Sequence, residues 1–235
     1  ALRQVYRWAV EVGYATNNPT LGVPNLPPNN PDGFHTWSLD EARQFEKRHP
    51  VGSKARRTLA IFMYTGVRTS DAVQLGPQME RDGSLHFTEM KNRDRDPEHR
   101  VIPILAALRV ELDAGPTGHL CYLVTEWGKP YSSPNSFGNR FKSWCRQAGL
   151  PHCSAHGLRK AGAVFAAEQG ATPHQLMAIF GWKSLRQAEL YTRAANKKKL
   201  AAQAMYLLDP DRTENKSVPP QRAVASSGTM RGKES

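Results

Sequence analysis

Apolar and polar positions along the chain follow two different periods, and the change of period outlines the elements. Leu2, Val5, Tyr6, Ala9 and Val10 recur near helical spacing, which predicts a helix over residues 1–15. Asn17-Asn18-Pro19 and the Pro/Asn-rich stretch 24–31 break that pattern and read as a linker. Ser38-Leu39-Asp40-Glu41 is a capping box ahead of a helix that carries Ala42 and Phe45. A helix over 53–64 follows with Gly66 as its stop, and a short helix begins near Arg68. The period then falls to two. Residues 84–89 alternate, and with 100–104 they predict two strands around a charged turn. Helical spacing returns over 104–114, and a third short strand is expected around 121–124. Further helices are expected over 134–148, 155–169, 173–180, 185–193 and 196–207. Thr172-Pro173-His174-Gln175 joins an N-cap, a first-turn proline and a capping-box glutamine, and Ser184-Leu185-Arg186-Gln187 repeats the box. From Asp209 onward the chain is polar and predicts a disordered tail. The expected fold class is mainly α with a small antiparallel β-sheet.

Composition narrows the partners. A chain of 235 residues can bury a full core, in one or two domains. A net charge of +11 and a pI near 9.8 favour a polyanion, with nucleic acid ahead of an anionic membrane surface. No apolar run approaches the ~20 residues needed to span a bilayer. The three cysteines, Cys121, Cys145 and Cys153, form no Cys-x-x-Cys pair, and no secretory signal is present. Reduced thiols in a cytoplasmic protein are therefore expected. Cys153 neighbours His152 and His156, but three loosely spaced ligands make a poor tetrahedral site, so no metal or other cofactor is expected.

The candidate chemistry lies in short motifs in a fixed order: Thr65-Gly66-Val67-Arg68-Thr69-Ser70-Asp71, His156-Gly157-Leu158-Arg159, Gly181-Trp182, and Tyr191 before Thr192-Arg193. A phosphodiester under attack gathers charge on its non-bridging oxygens, and a guanidinium is planar, always protonated and able to bind two of them. Arg68 and Arg159 suit that task. His156 and Arg159 stand three apart and share a helix face, and Ser154 as N-cap puts His156 in a first turn that favours anions. The Trp182 indole donates one hydrogen bond and exchanges no proton near neutral pH, so it binds or packs. A phenol such as that of Tyr191 needs a base or strong positive potential to attack at neutral pH.

This order resembles the tyrosine recombinase (phage integrase) family, whose hallmark is Arg…Lys…His-x-x-Arg…His/Trp…Tyr. The resemblance covers residues 38–208 and implies the DNA breaking-rejoining enzyme fold. It implies a site-specific recombinase that cleaves and rejoins strands through a 3′-phosphotyrosine on Tyr191, without ATP or metal. Arg68, Lys91, His156, Arg159, Trp182 and Tyr191 are then the catalytic set. Lys91, in Thr88-Glu89-Met90-Lys91, would give a proton to the leaving 5′ oxygen. Asp71 would orient an arginine or the histidine from behind.

The family carries a small helical DNA-binding domain ahead of the catalytic one. Residues 1–23 accordingly read as the end of that domain, 24–37 as linker, 38–208 as catalytic domain and 209–235 as tail. The implied partner is double-stranded DNA at an attachment or recombination site, bound by a homotetramer, with a monomer in solution left open. Lys54, Arg56, Arg57, Arg140, Lys142, Arg146, Lys160 and Lys183 are candidate phosphate contacts. In the family, subunits exchange a C-terminal helix. Residues 196–207 suit that, with Leu200, Ala204 and Leu207 on one face and Lys197, Lys198 and Lys199 elsewhere, and suit packing on their own subunit equally. Type IB topoisomerase-like relaxation and a non-catalytic DNA-binding protein of the same fold stay open as alternatives.

Overall fold

The protein, seen here as a computed structural model, is described over residues 2–24, 26 and 33–208. It divides into two units, 1–35 and 36–235. In the first, α1 (Leu2–Glu11) buries none of its residues and ends four residues short of expectation, through a turn at Val12 and Gly13. The expected linker end at 37 needs correcting. Trp37 is buried in the larger unit, stacks on Phe141, meets Phe45 edge-on, and donates its indole N–H to the Ser154 carbonyl at 2.9 Å. A tryptophan so engaged belongs to the core. The expected tail, 209–235, lies outside the described residues.

In the larger unit the chain runs through α2 (Leu39–Arg48), α3 (Lys54–Thr65), α4 (Thr69–Ala72) and a 3-10 turn at Pro77–Met79. The strands β1 (Glu80–Arg81), β2 (Ser84–Thr88) and β3 (His99–Pro103) come next. Then follow α5 (Ala106–Asp113), α6 (Pro134–Gln147), α7 (Ala155–Glu168), α8 (Pro173–Phe180) and α9 (Leu185–Ala204), closed by a 3-10 turn at Met205–Leu208. Local chemistry sets most of the starts. Ser38 accepts from the Glu41 amide at 3.1 Å while Glu41 accepts from the Ser38 amide at 2.7 Å, and Thr172 with Gln175 repeats that exchange. The box expected at Ser184 is not formed: the Gln187 amide donates to the Ser184 carbonyl instead.

The sheet is an antiparallel meander in the order β1-β2-β3. Its first hairpin closes at Arg81↔Ser84 through Asp82-Gly83, both at positive φ, which an Asp-Gly pair adopts readily in a two-residue turn. Sequence reading put the third strand around 121–124. That stretch instead makes a single bridge, Val124↔Pro130, and hands the Tyr122 amide to the Leu75 carbonyl. Across β2 and β3 the register pairs Leu85 with Ile102 and Phe87 with Arg100.

Two apolar clusters hold the unit together. The first centres on Trp37, Phe45, Phe62, Phe137, Phe141 and Trp144, and the second on Leu176, Phe180, Trp182 and Ala188. Helix α7 serves both, giving Leu158 and Ala161 to the first and Ala163 and Ala167 to the second. The two helices expected over 185–193 and 196–207 are one, α9, because Ala194-Ala195 offers strong helix formers and no glycine or proline interrupts them. Ala195 is buried, while Leu200 and Ala204 face outward; the side chains of Lys198, Lys199 and Leu207 lie outside the described set. No described helix is long and apolar enough to cross a membrane.

Candidate active site

Helices α3 and α8 end side by side, and their last carbonyls need donors. Arg100, inward on β3, donates to the Thr65 carbonyl at 2.6 Å and to the Ile179 carbonyl. Arg159, on α7, donates to the next carbonyl of each end, Gly66 and Phe180, the latter at 2.6 Å. Two guanidiniums thus staple the same pair of helix ends. Against Arg100 lies Glu89, 2% exposed, whose Oε1 accepts from Arg100 at 3.2 Å and whose Oε2 pairs with Arg68. Gly181, at φ +60°, leaves room for that carboxylate; a Cβ there would overlap it and meet Arg100 Cδ at 3.0 Å.

Beside this staple opens a cavity of about 410 Å³ walled by Arg68, Thr69, Ser70, Lys91, His156, Arg159, Trp182 and Gln187, with Phe62, Val67 and Ala155 behind them. Five of the six expected catalytic residues therefore share one hollow. Arg68 arrives at the start of α4, Lys91 from the exposed turn after β2, and His156 from the first turn of α7 beneath the Ser154 cap. Tyr191 is set apart from them. Half-buried on α9, it contributes no wall but stacks on Trp182, with centroids 5.0 Å apart and planes 12° from parallel. Trp182 stacks in turn on Phe180 at 5.0 Å.

Among the described residues, three arginines, 68, 100 and 159, crowd against two carboxylates, Glu89 and Asp71. Burial first, then the charges of Arg68 and Arg100, pull the Arg159 pKa down to about 9, with Glu89 and Asp71 opposing. An anion in the cavity would relieve that. For His156, desolvation and then Arg159, Lys160 and Arg68 hold the pKa below its ordinary value, so the imidazole is neutral near pH 7. Burial raises the Tyr191 phenol, and Arg159 works against it.

Asp71 does not hold an arginine or the histidine by a side-chain hydrogen bond. Its Oδ1 accepts the Met90 amide at 2.7 Å, next to Lys91, and its Oδ2 has no hydrogen-bond partner among the described residues. Burial raises its pKa. Orienting Arg68 falls to Glu89, which sequence reading missed together with Arg100. The signal was present: in period two, Glu89 continues the buried phase of Leu85 and Phe87, and Arg100 that of Ile102. A carboxylate and a guanidinium on apolar faces of paired strands demand each other.

Among the basic residues expected to face DNA, Arg57 is a correction. It is fully buried and donates to the Glu111 carbonyl at 3.1 Å and the Pro116 carbonyl at 2.9 Å. Arg56 pairs with Glu46 and Glu111, Lys54 and Arg140 with Glu126, and Lys183 with Asp96 and Glu98. Lys142 and Arg146 are exposed.

A helical unit on a three-stranded meander, with arginines at the ends of α3 and α8 and a tyrosine on the following helix, has the fold of tyrosine recombinase catalytic domains. The phage integrase family matches residues 39–198, and the chain belongs to it. It is 35% identical over 87 residues to the integrase of Mycobacterium phage L5, a match spanning 37% of this chain and 23% of that protein. It is 25% identical over 209 residues to tyrosine recombinase XerD of Neisseria meningitidis serogroup A, covering 83% of this chain and 70% of the relative. Among solved structures, a lambda integrase (residues 75–356) dimer bound to a COC' core site shares the fold with a TM-score of 0.65 at 18% identity, over 81% of this chain and 70% of that one.

Proposed function

We propose that the protein is a site-specific DNA recombinase of the integrase type, working through a 3′-phosphotyrosine on Tyr191. The convergence of Arg68, Lys91, His156, Arg159 and Trp182 on one cavity beside that tyrosine carries the reading. A scissile phosphate entering the cavity takes donors from Arg159, from Arg68 as it turns from Glu89, and from the Trp182 indole. Donors aimed at the developing charge supply the largest catalytic effect, about 2.7–4 kcal/mol for one of them.

Tyr191 must leave its stack on Trp182 to bring the phenol in line. Neutral His156 takes the phenolic proton as the oxygen attacks phosphorus. The bond from phosphorus to the 5′ oxygen breaks, and Lys91 protonates that oxygen. A 5′-hydroxyl from a partner strand reverses the step, so the ester linkage is conserved and no energy source is consumed.

Double-stranded DNA at an attachment site is the partner, in keeping with the net charge of +11 and with the DNA-bound state of the lambda integrase of like fold. We assign a homotetramer on DNA, residues 1–23 as the end of a DNA-binding domain, and a cytoplasmic setting, which the three buried, unpaired cysteines suit. Incubation with a nicked duplex spanning the attachment site tests the proposal. A protein–DNA adduct resistant to denaturant is expected, reduced at least about 100-fold by Arg159→Lys. An adduct at full yield in that variant would refute the role of the cavity.

A further inference from the structure

Away from the cavity, where α2 begins and α6 turns into α7, three metal-ligand side chains from distant stretches of sequence meet. Glu41 lies in the first turn of α2; His152 and Cys153 lie in the turn before α7. Their ligand atoms all fall within 4.8 Å of one another. His152 Nε2 is 2.6 Å from Glu41 Oε1, while Glu41 Oε2 accepts the Ser38 amide at 2.7 Å, so the helix cap fixes the carboxylate's direction. The Cys153 thiol is buried, and the His152 side chain is 51% exposed. Sequence reading paired Cys153 with His152 and His156 and dismissed them; Glu41, more than a hundred residues away, is what folding adds.

We propose that Glu41, His152 and Cys153 form a site for a borderline divalent transition metal, zinc foremost, as three of its tetrahedral ligands. Thiolate, imidazole and carboxylate together select such a metal over magnesium or calcium. Bonds of about 2.0–2.3 Å put tetrahedral ligands roughly 3.3–3.8 Å apart. The present spread therefore requires a shift of about an ångström, within the range of one exposed histidine rotamer. The Ser38 amide on Glu41 Oε2 is the outer hydrogen bond that ligating carboxylates generally carry. On binding, the Cys153 S–H bond breaks, an Sγ–metal bond forms and the proton leaves to solvent, with no change of oxidation state. Cys153 directly precedes Ser154, the cap of the helix that carries His156 and Arg159. A bound ion would tie the first turn of α7 to α2. The site is structural, and it stands or falls independently of the recombinase reading.

The full chain, stripped by chelator and dialysed, is titrated with Co²⁺ and then Zn²⁺. The expected result is one saturable site with a thiolate-to-cobalt charge-transfer band, bleached by Zn²⁺, and a Tm that rises on adding Zn²⁺. Glu41→Gln keeps the capping box, since glutamine serves there equally, and is expected to bind Co²⁺ at least about tenfold more weakly. His152→Ala is expected to do the same, and Cys153→Ser to lose the band. Should Cys153→Ser fail to fold, the exposed His152 decides the matter. Absence of saturable Co²⁺ binding would overturn the proposal. So would a band that Cys153→Ser leaves intact, because the thiolate would then come from elsewhere, or an affinity for Co²⁺ that His152→Ala leaves unchanged. A Tm that ignores Zn²⁺ yet falls in His152→Ala would reduce the cluster to an ion pair and refute the site.

Discussion

Replacing Glu89 by glutamine removes one carboxylate from between Arg68 and Arg100 while keeping its shape. Glu89 is 2% exposed and Arg100 is 3% exposed, and breaking so buried a pair destabilises by about 3–5 kcal/mol. The glutamine oxygen still accepts one N–H, which returns about 1–1.5 kcal/mol. Arg68, at 27% side-chain exposure, can turn to water at little expense. A net loss of about 1.5–4 kcal/mol remains, and at about 2–4 °C per kcal/mol the Tm should fall by about 3–16 °C. Calorimetry gives the Tm, and urea unfolding should show a lower midpoint at unchanged slope. The same change releases Arg68 toward the cavity, so sulfate should raise the Tm more in Glu89→Gln than in the parent. A Tm within about 1 °C of the parent would refute the idea that Glu89 couples the ends of α3 and α8 to Arg68.

Other consequences follow from the same geometry. Trp182→Phe keeps the stack between Phe180 and Tyr191 but removes the indole donor, so single-turnover cleavage should slow by about 10²–10³ with little change in Tm; an unchanged rate would make Trp182 a packing residue only. Sulfate or phosphate should stabilise the protein at neutral pH by relieving the crowded Arg159, and that increment should vanish in Arg159→Met. His156 has a folded pKa below its unfolded value of about 6.5, so on acidification the unfolded chain takes up the proton first. Stability should therefore fall as pH drops through about 6.5 and level off below the folded value, and His156→Gln should flatten that slope in urea midpoints taken at stepped pH.

What could be read from sequence was what neighbours in sequence decide. The caps at Ser38, Ser154 and Thr172 are fulfilled because side chain and amide lie three residues apart. The Asp82-Gly83 hairpin was equally local, and only its strand of two residues hid it. Failures came where the partner is remote. Arg57 and Arg68 look alike in sequence, yet carbonyls at Glu111 and Pro116 draw the first into the core. Asp71 meets the Met90 amide rather than an arginine because the segment leaving β2 comes to α4, which no spacing rule reveals. Glu89 and Arg100 were legible in principle, since strand parity puts them inward with Leu85, Phe87 and Ile102. The set-back position of Tyr191 depends on Trp182 filling the space before it, a matter of packing alone.

The proposed chemistry has one phenol attack a phosphate held by Arg68 and Arg159. It is tested most directly by digesting the trapped protein–DNA adduct and weighing its peptides. A nucleotide joined through its 3′-phosphate to the peptide containing Tyr191 is expected, with no adduct from Tyr191→Phe. A nucleotide on any other residue, or an adduct that Tyr191→Phe leaves at full yield, would contradict it.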